Sequence, residues 1–291
     1  MWQKSRPYIL ILPSLIIIVT LFFGGLILGL LQSLGFMAVG GTSHFTINAY
    51  KQLMLSKDFI NSLALTLRIA LVSSVLSGVL AVITIRLLFI LGENRKTAFF
   101  RKVFQVPMLV PHVTAAYLIM LLFMQSGWFS SIAYSMGIIK SMDAFPSVVN
   151  NPNSLGIVLT YIWKETPFIM LMIFPIMSRT QDSWLEIAQV FGARRQEFFK
   201  EVILPLIIPT WLSSVLIVFA FTFSDFEVPY LLGITYPKFI SVYAYNMYYN
   251  GQLSDRPIAL AANFILAIIT AILGFAAYKL AQRRDDMEAR W

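Results

Sequence analysis

The sequence predicts an all-α integral membrane protein with six transmembrane helices, and three observations support this fold class. Of the 291 residues, 58% are hydrophobic and 12% are charged, and the mean hydropathy is +0.75. The chain therefore lacks the polar surface that a soluble globular protein of this length needs. Its apolar runs are long enough to cross a hydrocarbon core, which takes roughly 20 helical residues. The runs also lack the period-two alternation of an outer-membrane barrel, so helices are the expected spans.

Hydropathy marks the six spans in order along the chain. They fall at about residues 8–30, 60–90, 103–125, 155–178, 206–226 and 257–280. The first run follows a basic start but is too long for the apolar part of a signal peptide, so we expect a retained helix. The second run is longer than one crossing requires, and we expect it to tilt or to extend beyond the bilayer. We predict one transmembrane domain over residues 1–291.

The basic residues are unevenly distributed between the two sets of loops. One side receives 15 of them and the other side or the bilayer interior receives 7, which together make the 22 Lys and Arg residues of the chain. The larger set consists of Lys4, Arg6, Arg86, Arg95, Lys96, Arg101, Lys102, Arg179, Arg194, Arg195, Lys200, Lys279, Arg283, Arg284 and Arg290. By the positive-inside rule this side, with both termini, is cytoplasmic. The net charge of +8 is explained by this distribution, so we predict no nucleic-acid partner.

The residue types needed for metal or intramembrane enzyme chemistry are absent or isolated. The chain has no cysteine and only two histidines, which excludes disulfides and thiolate metal sites. His112 lies between Pro111 and Val113 with no second histidine near it, so we expect it to pack or to satisfy a helix kink. The apolar runs carry no H-E-x-x-H, paired-Asp or Ser/His arrangement. We therefore predict neither a catalytic residue nor a resident cofactor or metal.

One polar stretch, "EIAQVFGARRQEFFKEVILP" from Glu186 to Pro205, precedes the fifth span. A helical projection places Ile187, Val190 and Phe191 on an apolar stripe. Gly192 can adopt a turn conformation, so we expect a short amphipathic helix before it and a second helix after it. We expect Phe198 and Phe199 to add exposed apolar surface. These features fit either a helix lying in the membrane interface or a docking helix for a cytoplasmic partner.

The same stretch resembles the EAA loop of permeases from binding-protein-dependent ABC importers, whose pattern is E-A-A-x3-G-x9-I-x-L-P. Glu186-Ile187-Ala188, Gly192, Val202 and Leu204-Pro205 match its spacing, with Ile187 in place of Ala and Val202 in place of Ile. "FGARR" fits the usual continuation of the loop. The resemblance extends to "FTINAYKQLM", "FINSLALTLRIALVSS", "VPMLVPHV" and "IWKETPFIMLMIFPIMSRTQDSWLEIA".

The resemblance implies a type I ABC importer permease fold with both termini cytoplasmic, in a multi-pass protein of the bacterial inner membrane. It implies that the segment 181–205 is a coupling loop that contacts a cytoplasmic ABC ATPase dimer. It also implies a second permease subunit, identical or homologous, and an extracytoplasmic substrate-binding protein. The chain has no G-x4-G-K-[ST] phosphate loop, so ATP and Mg would be bound by the partner and this subunit would not be an enzyme. The implied ATPase-coupling residues are Glu186, Ala188, Gly192, Ala193, Arg194, Arg195, Leu204 and Pro205.

Five ionisable residues within or near the spans are candidates for the translocation path: Arg68, Lys164, Glu165, Asp225 and Glu227. Such groups are costly in a membrane and usually face a cavity, a partner or one another. Lys164 and Glu165 precede a helix break expected at Pro167, and Asp225 and Glu227 precede Pro229, so all four could be partly hydrated. Structural pairing or placement at the membrane interface is the alternative to a role in transport.

The fifth and sixth spans, with "FTFSDFEVPYLLG" and "DRPIALAANFILAIIT", resemble permeases of the polyamine, ferric-iron and thiamine group more than those of the sugar group. The resemblance and the paired acids imply a polyamine or another small cationic or metal-linked solute, with a sugar as the alternative. A secondary transporter or channel without an ATPase partner is the competing class of protein. It would account for the spans and the buried charges, but it has no use for an EAA pattern.

Overall fold

The computed structural model describes residues 2–36, 44–92 and 95–288, and within them the side chains of residues 10–36, 44–92, 95, 97–181 and 184–279. These residues form α-helices and contain no β-strand. The helices are α1 (Trp2–Ser33), α2 (Asn48–Leu55), α3 (Lys57–Leu91), α4 (Arg95–Leu109), α5 (His112–Phe123), α6 (Trp128–Ser135), α7 (Leu155–Val190), α8 (Arg195–Phe198), α9 (Leu204–Ser224), α10 (Glu227–Leu232), α11 (Ile240–Asn250) and α12 (Arg256–Glu288). Short 3₁₀ turns occupy Met142–Ala144 and Leu253–Asp255, and a π-helical turn occupies Phe199–Ile203.

Six stretches in the described part of the chain are long and apolar enough to cross a membrane, which confirms the predicted number of spans. They are Leu10–Ser33, Lys57–Leu91, His112–Ser135, Leu155–Gln181, Arg195–Ser224 and Leu253–Lys279. The side chains of Lys4, Arg6, Lys96, Arg283, Arg284 and Arg290 lie outside the described residues. The cytoplasmic position of both termini therefore stays a prediction.

The third span begins later than hydropathy predicts. The predicted start near residue 103 falls inside α4, which ends at Leu109, and the span itself begins at His112. Pro111 explains the interruption, because it has no N–H to donate to the carbonyl of Pro107 and disfavours helical geometry at Val110. The apolar run of the sequence continues across this break, so hydropathy alone does not detect it.

The fourth span continues without interruption into the polar stretch that follows it. The prediction of a helix break at Pro167 is wrong, because α7 contains both Pro167 and Pro175 and runs on to Val190. Proline removes one helical hydrogen bond, and membrane helices tolerate this loss where surrounding groups compensate for it. The expected separate amphipathic helix before Gly192 is thus the last turns of α7.

The contacts divide the chain into two compact units, the first of which comprises Met1–Asn61 and Ile240–Ala267. In this unit the ring of Phe264 lies 3.5 Å from where a Cβ at Gly29 would stand, so α1 and α12 approach closely there. The hydroxyls of Ser33 and Tyr50 share a hydrogen bond of 2.9 Å, and Phe59 packs against Tyr243. Most of the apolar side chains of α1 from Leu10 onward are exposed, as expected for a surface in contact with lipid.

The second unit comprises Ser62–Phe239 and Ile268–Trp291 and contains the candidate sites. Its core is formed by buried side chains of α3, α7, the segment after Gly192 and α9: Ala81, Ile85, Phe89, Ile169, Met170, Ile173, Met177, Leu185, Phe198, Phe199, Ile203, Ile207 and Val218. Helices α3 and α9 meet at Gly78, whose carbonyl oxygen accepts a 2.9 Å hydrogen bond from Trp211 Nε1. A Cβ at Gly78 would stand 2.6 Å from Val215 Cγ2, so only glycine permits this approach without displacement.

Candidate functional site

The polar stretch before the fifth span is organised around a helix-ending turn at Gly192. After α7 ends at Val190, the N–H of Gly192 donates to the oxygen of Gln189 at 2.9 Å, and the N–H of Ala193 donates to the oxygen of Ala188 at 3.0 Å. These two bonds define a Schellman motif, which needs a left-handed residue at its centre. Gly192 has φ +87°. The predicted turn is confirmed, and Gly192 supplies the backbone conformation that it requires.

The tip of this turn exposes large apolar side chains. Val190 is 84% exposed and Phe191 is 87% exposed, and Trp184 and Ile187 on the last turns of α7 are also exposed. We call these four side chains the apolar tip. Glu186 and Arg194 are exposed beside it. A contiguous apolar surface of this kind marks a site of contact with a protein or a membrane.

The opposite face of the segment is buried against α3. The rings of Phe198 and Phe199 lie 6.2 Å and 5.6 Å from the ring of Phe89, between centroids. Both side chains are buried, so the expectation that they add exposed apolar surface is wrong. Their sequence pattern carries no sign of Phe89, the ring that covers them. This packing fixes the second helical piece of the segment to the end of α3.

The two arginines after Gly192 have different environments. Arg194 is exposed, and its backbone N–H donates to Glu197 Oε2 at 2.9 Å, as in a capping box at the start of α8. The guanidinium of Arg195 lies 5.6 Å from the centroid of the Phe89 ring and donates weakly, at 3.5 Å, to the carbonyl oxygen of Ile90. Leu204 and Pro205 begin α9, where Pro205 occupies a first-turn position that needs no N–H donor.

Lys164 is buried in the middle of α7 and caps the end of α4. Its Nζ donates to the carbonyl oxygen of Pro107 at 2.9 Å and to that of Val110. In an uninterrupted helix the oxygen of Pro107 would accept from residue 111, and Pro111 has no N–H to give. Lys164 thus satisfies a carbonyl that the break between α4 and α5 leaves without its helical donor.

Glu165, beside Lys164, holds the start of α5. Its Oε1 shares a 2.9 Å hydrogen bond with His112 Nε2, and the His112 ring packs 4.7 Å from that of Phe221. The prediction that His112 packs at a kink is therefore confirmed. Lys164 is 5% exposed and Glu165 is 7% exposed, which contradicts the expected partial hydration. The helix break that suggested hydration is absent, because α7 is continuous through Pro167.

Tyr161 lies one helical turn before Lys164 and connects α7 to the end of α9. Its hydroxyl donates to Asp225 Oδ2 at 2.8 Å, and the ring is fully buried. Asp225 also accepts from the backbone N–H groups of Glu227 at 3.2 Å and Val228 at 3.3 Å. The carboxylate therefore fixes the first turn of α10. Sequence reasoning missed Tyr161, although its i, i+3, i+4 spacing with Lys164 and Glu165 places all three on one face of a helix.

The other two translocation-path candidates lie apart from this network. Arg68 on α3 and Glu227 at the start of α10 are exposed. Lys164 and Glu165 thus both bond groups at the α4–α5 break. Asp225 accepts a hydrogen bond from Tyr161, and Arg68 and Glu227 lie at the surface of the chain. Structural pairing, one of the alternatives for these residues, describes Lys164, Glu165 and Asp225.

Comparison with known proteins identifies the family to which this chain belongs. The family model of the binding-protein-dependent transport system inner membrane component matches residues 89–286, and the chain belongs to that family. It is 28% identical over 215 residues to the inner membrane ABC transporter permease protein YdcU of Escherichia coli strain K12, covering 71% of this chain and 67% of that protein. It is 25% identical over 295 residues to the putative 2-aminoethylphosphonate transport system permease protein PhnU of Salmonella typhimurium strain LT2, covering 98% of this chain and 95% of that protein.

The solved structure of a bacterial ABC transporter that imports the acidic polysaccharide alginate contains a chain with the same fold. The two chains align with a TM-score of 0.76 at 20% identity, over 97% of this chain and 98% of the other. This match confirms the predicted type I ABC importer permease fold. The protein is the permease subunit of a binding-protein-dependent ABC importer and a multi-pass protein of the bacterial inner membrane. Its family membership favours this class over a secondary transporter or channel.

Proposed function

We propose that residues 181–205 form the surface through which this subunit engages a separate cytoplasmic ABC ATPase, which binds the ATP and Mg. The observation that carries the proposal is the apolar tip, where Val190 and Phe191 are the most exposed side chains. A helix that lay in the membrane interface would present its apolar face parallel to the bilayer. Here the apolar tip stands at the end of a helix that is continuous with a membrane span.

The architecture of the segment suits the transmission of movement. A partner that displaces the apolar tip acts directly on α7, because that helix is continuous from Leu155 to Val190. The same displacement reaches α3 and α9 through the buried rings of Phe198 and Phe199. Coupling between sites needs packed elements that move as units, and both connections provide them.

The proposed coupling residues fall into three roles. Glu186 and Arg194 are exposed beside the apolar tip and would contact the ATPase directly. Ala188, Gly192 and Ala193 form the turn that orients the apolar tip. The anchoring residues are Arg195, Leu204 and Pro205.

The proposed complex contains an ATPase dimer, a second permease subunit that is identical or homologous, and an extracytoplasmic binding protein. The family name itself refers to the binding protein. A related alginate transporter has been solved in complex with a periplasmic protein that carries an alginate pentasaccharide. By the same logic, the binding protein of this system would deliver the solute to the permease pair.

Site-directed cross-linking tests the ATPase contact. The chain has no native cysteine, so Phe191→Cys in the full-length protein gives one reactive position at the apolar tip. We expect a cysteine-directed photo-crosslinker at this position to capture the co-expressed ATPase, with a yield that changes when ATP is added. Leu55→Cys is the matched control, because Leu55 is 83% exposed and ends α2, between the first and second spans, in a segment predicted to face the other side of the membrane. Capture of lipid alone from Phe191→Cys would support the interfacial helix and refute the proposal.

For the solute, the proposal remains a small polar molecule, with a polyamine or another cationic or metal-linked solute ahead of a sugar. Of the paired acids that suggested a cation, Asp225 is engaged by Tyr161, which leaves Glu227 as the exposed carboxylate. If Glu227 guides a cation, Glu227→Gln lowers uptake of a polyamine while leaving ATPase retention unchanged. Unchanged uptake of a polyamine would remove this support for a cationic solute.

A further inference from the structure

A cavity of ≈ 350 Å³ lies between the end of α3, the start of α4 and residues 174–181 of α7. Its polar lining comes from Arg95 and Arg101 of α4 and from Ser178 and Gln181 of α7. The hydroxyl of Thr97 donates to the carbonyl oxygen of Gly92 at 2.8 Å, which ties the start of α4 to the end of α3 at the rim of the cavity.

Two arginine side chains bring positive charge to the lining of the cavity. In the part of the chain whose side chains are described, neither Arg95 nor Arg101 has a carboxylate within ion-pair distance. A third guanidinium is near, because Arg195 Nη1 lies 2.8 Å from the position that a Cβ of Gly92 would occupy. Arginine is suited to planar, multidentate recognition of phosphate oxygens, and hydroxyl and amide groups add further donors.

The arginines are supported on apolar surface. The guanidinium of Arg101 stands 4.9 Å from the centroid of the Phe174 ring, and the wall of the cavity includes Leu88 and Met177. Stacking on a ring restrains the guanidinium plane while leaving its N–H groups able to donate at the edge. The site therefore combines oriented donors with an apolar wall.

The cavity lies near the predicted cytoplasmic ends of two spans, which is the level of the lipid headgroups. Helix α3 ends at Leu91, next to Gly92 of the cavity wall, and hydropathy predicts that the fourth span ends near residue 178, where Ser178 also lines the cavity. This is the end of the spans that the positive-inside rule assigns to the cytoplasm, where the leaflet carries anionic lipids. We infer that this cavity binds a phosphate group, supplied by the headgroup of an anionic phospholipid or by free phosphate.

Lipid retention by the full-length protein tests the site. The protein is reconstituted in nanodiscs of equal parts phosphatidylglycerol and phosphatidylcholine, and the lipids kept after extraction are counted by native mass spectrometry. We expect the wild type to retain phosphatidylglycerol preferentially, and Arg95→Gln with Arg101→Gln to lower that preference roughly 30-fold. Inorganic phosphate at millimolar concentration is the second arm: displacement of the lipid identifies free phosphate as a ligand, and resistance identifies the headgroup.

Two further variants keep the result interpretable. Lys102→Gln with Arg179→Gln removes the same charge from exposed residues of the same helices that do not line the cavity, and it should change the preference little. Arg95→Lys with Arg101→Lys keeps the charge and should retain most of the preference, which separates loss of binding from loss of folding. Equal losses in the two Gln pairs, or no preference in the wild type under either arm, would overturn the inference.

Discussion

Replacing Gly192 tests whether backbone conformation at the turn governs ATPase engagement. Gly192 has φ +87° and no atom of the chain within 4 Å of a Cβ position. In this chain an added methyl group meets open space, so Gly192→Ala acts through conformation alone. A left-handed conformation costs an L-residue roughly 1–2 kcal/mol. Because about 1.4 kcal/mol corresponds to a tenfold change, the equilibrium constant for forming the native turn should fall roughly 5- to 30-fold, and ATPase retention should fall with it.

Gly192→Asn provides the decisive comparison, because asparagine tolerates the left-handed region although it is larger than alanine. If the backbone conformation at residue 192 governs ATPase engagement, the amount of co-purified ATPase and the rate of ATP-driven uptake decrease in the order Gly, Asn, Ala. Gly137→Ala is the matched control, since Gly137 has φ +71° and open space around its Cβ position but lies in a loop predicted to face away from the cytoplasm. It should leave ATPase retention unchanged. Wild-type retention in Gly192→Ala combined with a loss in Gly192→Asn would refute this reasoning and point to a steric limit in the partner.

Three further substitutions test the packing within the second unit, each measured by the thermal unfolding midpoint of the full-length protein in one detergent. Lys164→Met removes the Lys164 donor from the carbonyls of Val110 and Pro107, of which Pro107 keeps a 3.3 Å bond from the N–H of Val110, and it should cost about 1–3 kcal/mol for the unsatisfied carbonyl of Val110; a midpoint equal to that of the wild type would contradict the capping role. Tyr161→Phe removes a single hydrogen bond to Asp225 and should lower the free energy of unfolding by about 0.5–1.5 kcal/mol. A larger loss of stability for Tyr161→Phe than for Lys164→Met would contradict this expectation. Gly78→Ala places a Cβ 2.6 Å from Val215 Cγ2. The resulting overpacking between α3 and α9 should lower the free energy of unfolding by about 1–3 kcal/mol, whereas Gly274→Ala, with nothing within 4 Å, should be neutral. Equal midpoints for these two glycine variants would show that the close approach at Gly78 is not maintained.

The polar stretch from Glu186 to Pro205 illustrates which features of a site can be predicted from local sequence. The turn at Gly192 and the start of α9 at Leu204 and Pro205 depend on residues within a few positions of one another, and both were predictable. The apolar stripe of Ile187, Val190 and Phe191 was also visible in a helical projection. The burial of Phe198 and Phe199 was not, because it depends on Phe89 at the end of a different helix.

The ionisable residues of the spans show the limit of such reasoning more clearly. The free-energy cost of ionisable groups in a membrane indicated that Lys164 and Glu165 have a specific role, but it did not indicate which role. Lys164 bonds a carbonyl 57 positions away, and Glu165 bonds a histidine 53 positions away. Neither separation follows a helical or strand period, so no pattern in the sequence connects the partners.

The sequence by itself determined the class of the protein, its six spans, the EAA pattern before the fifth span and the turn at Gly192. These features follow from hydropathy, from local backbone preference and from the spacing of residues within one segment. Tertiary structure alone decided that Lys164 caps a broken helix, that Phe198 and Phe199 are buried, that Arg95 and Arg101 line one cavity, and that Arg195 lies beside Gly92. Each of these depends on which helices are neighbours, and in a membrane protein most helix faces are apolar, so hydropathy does not encode which faces meet.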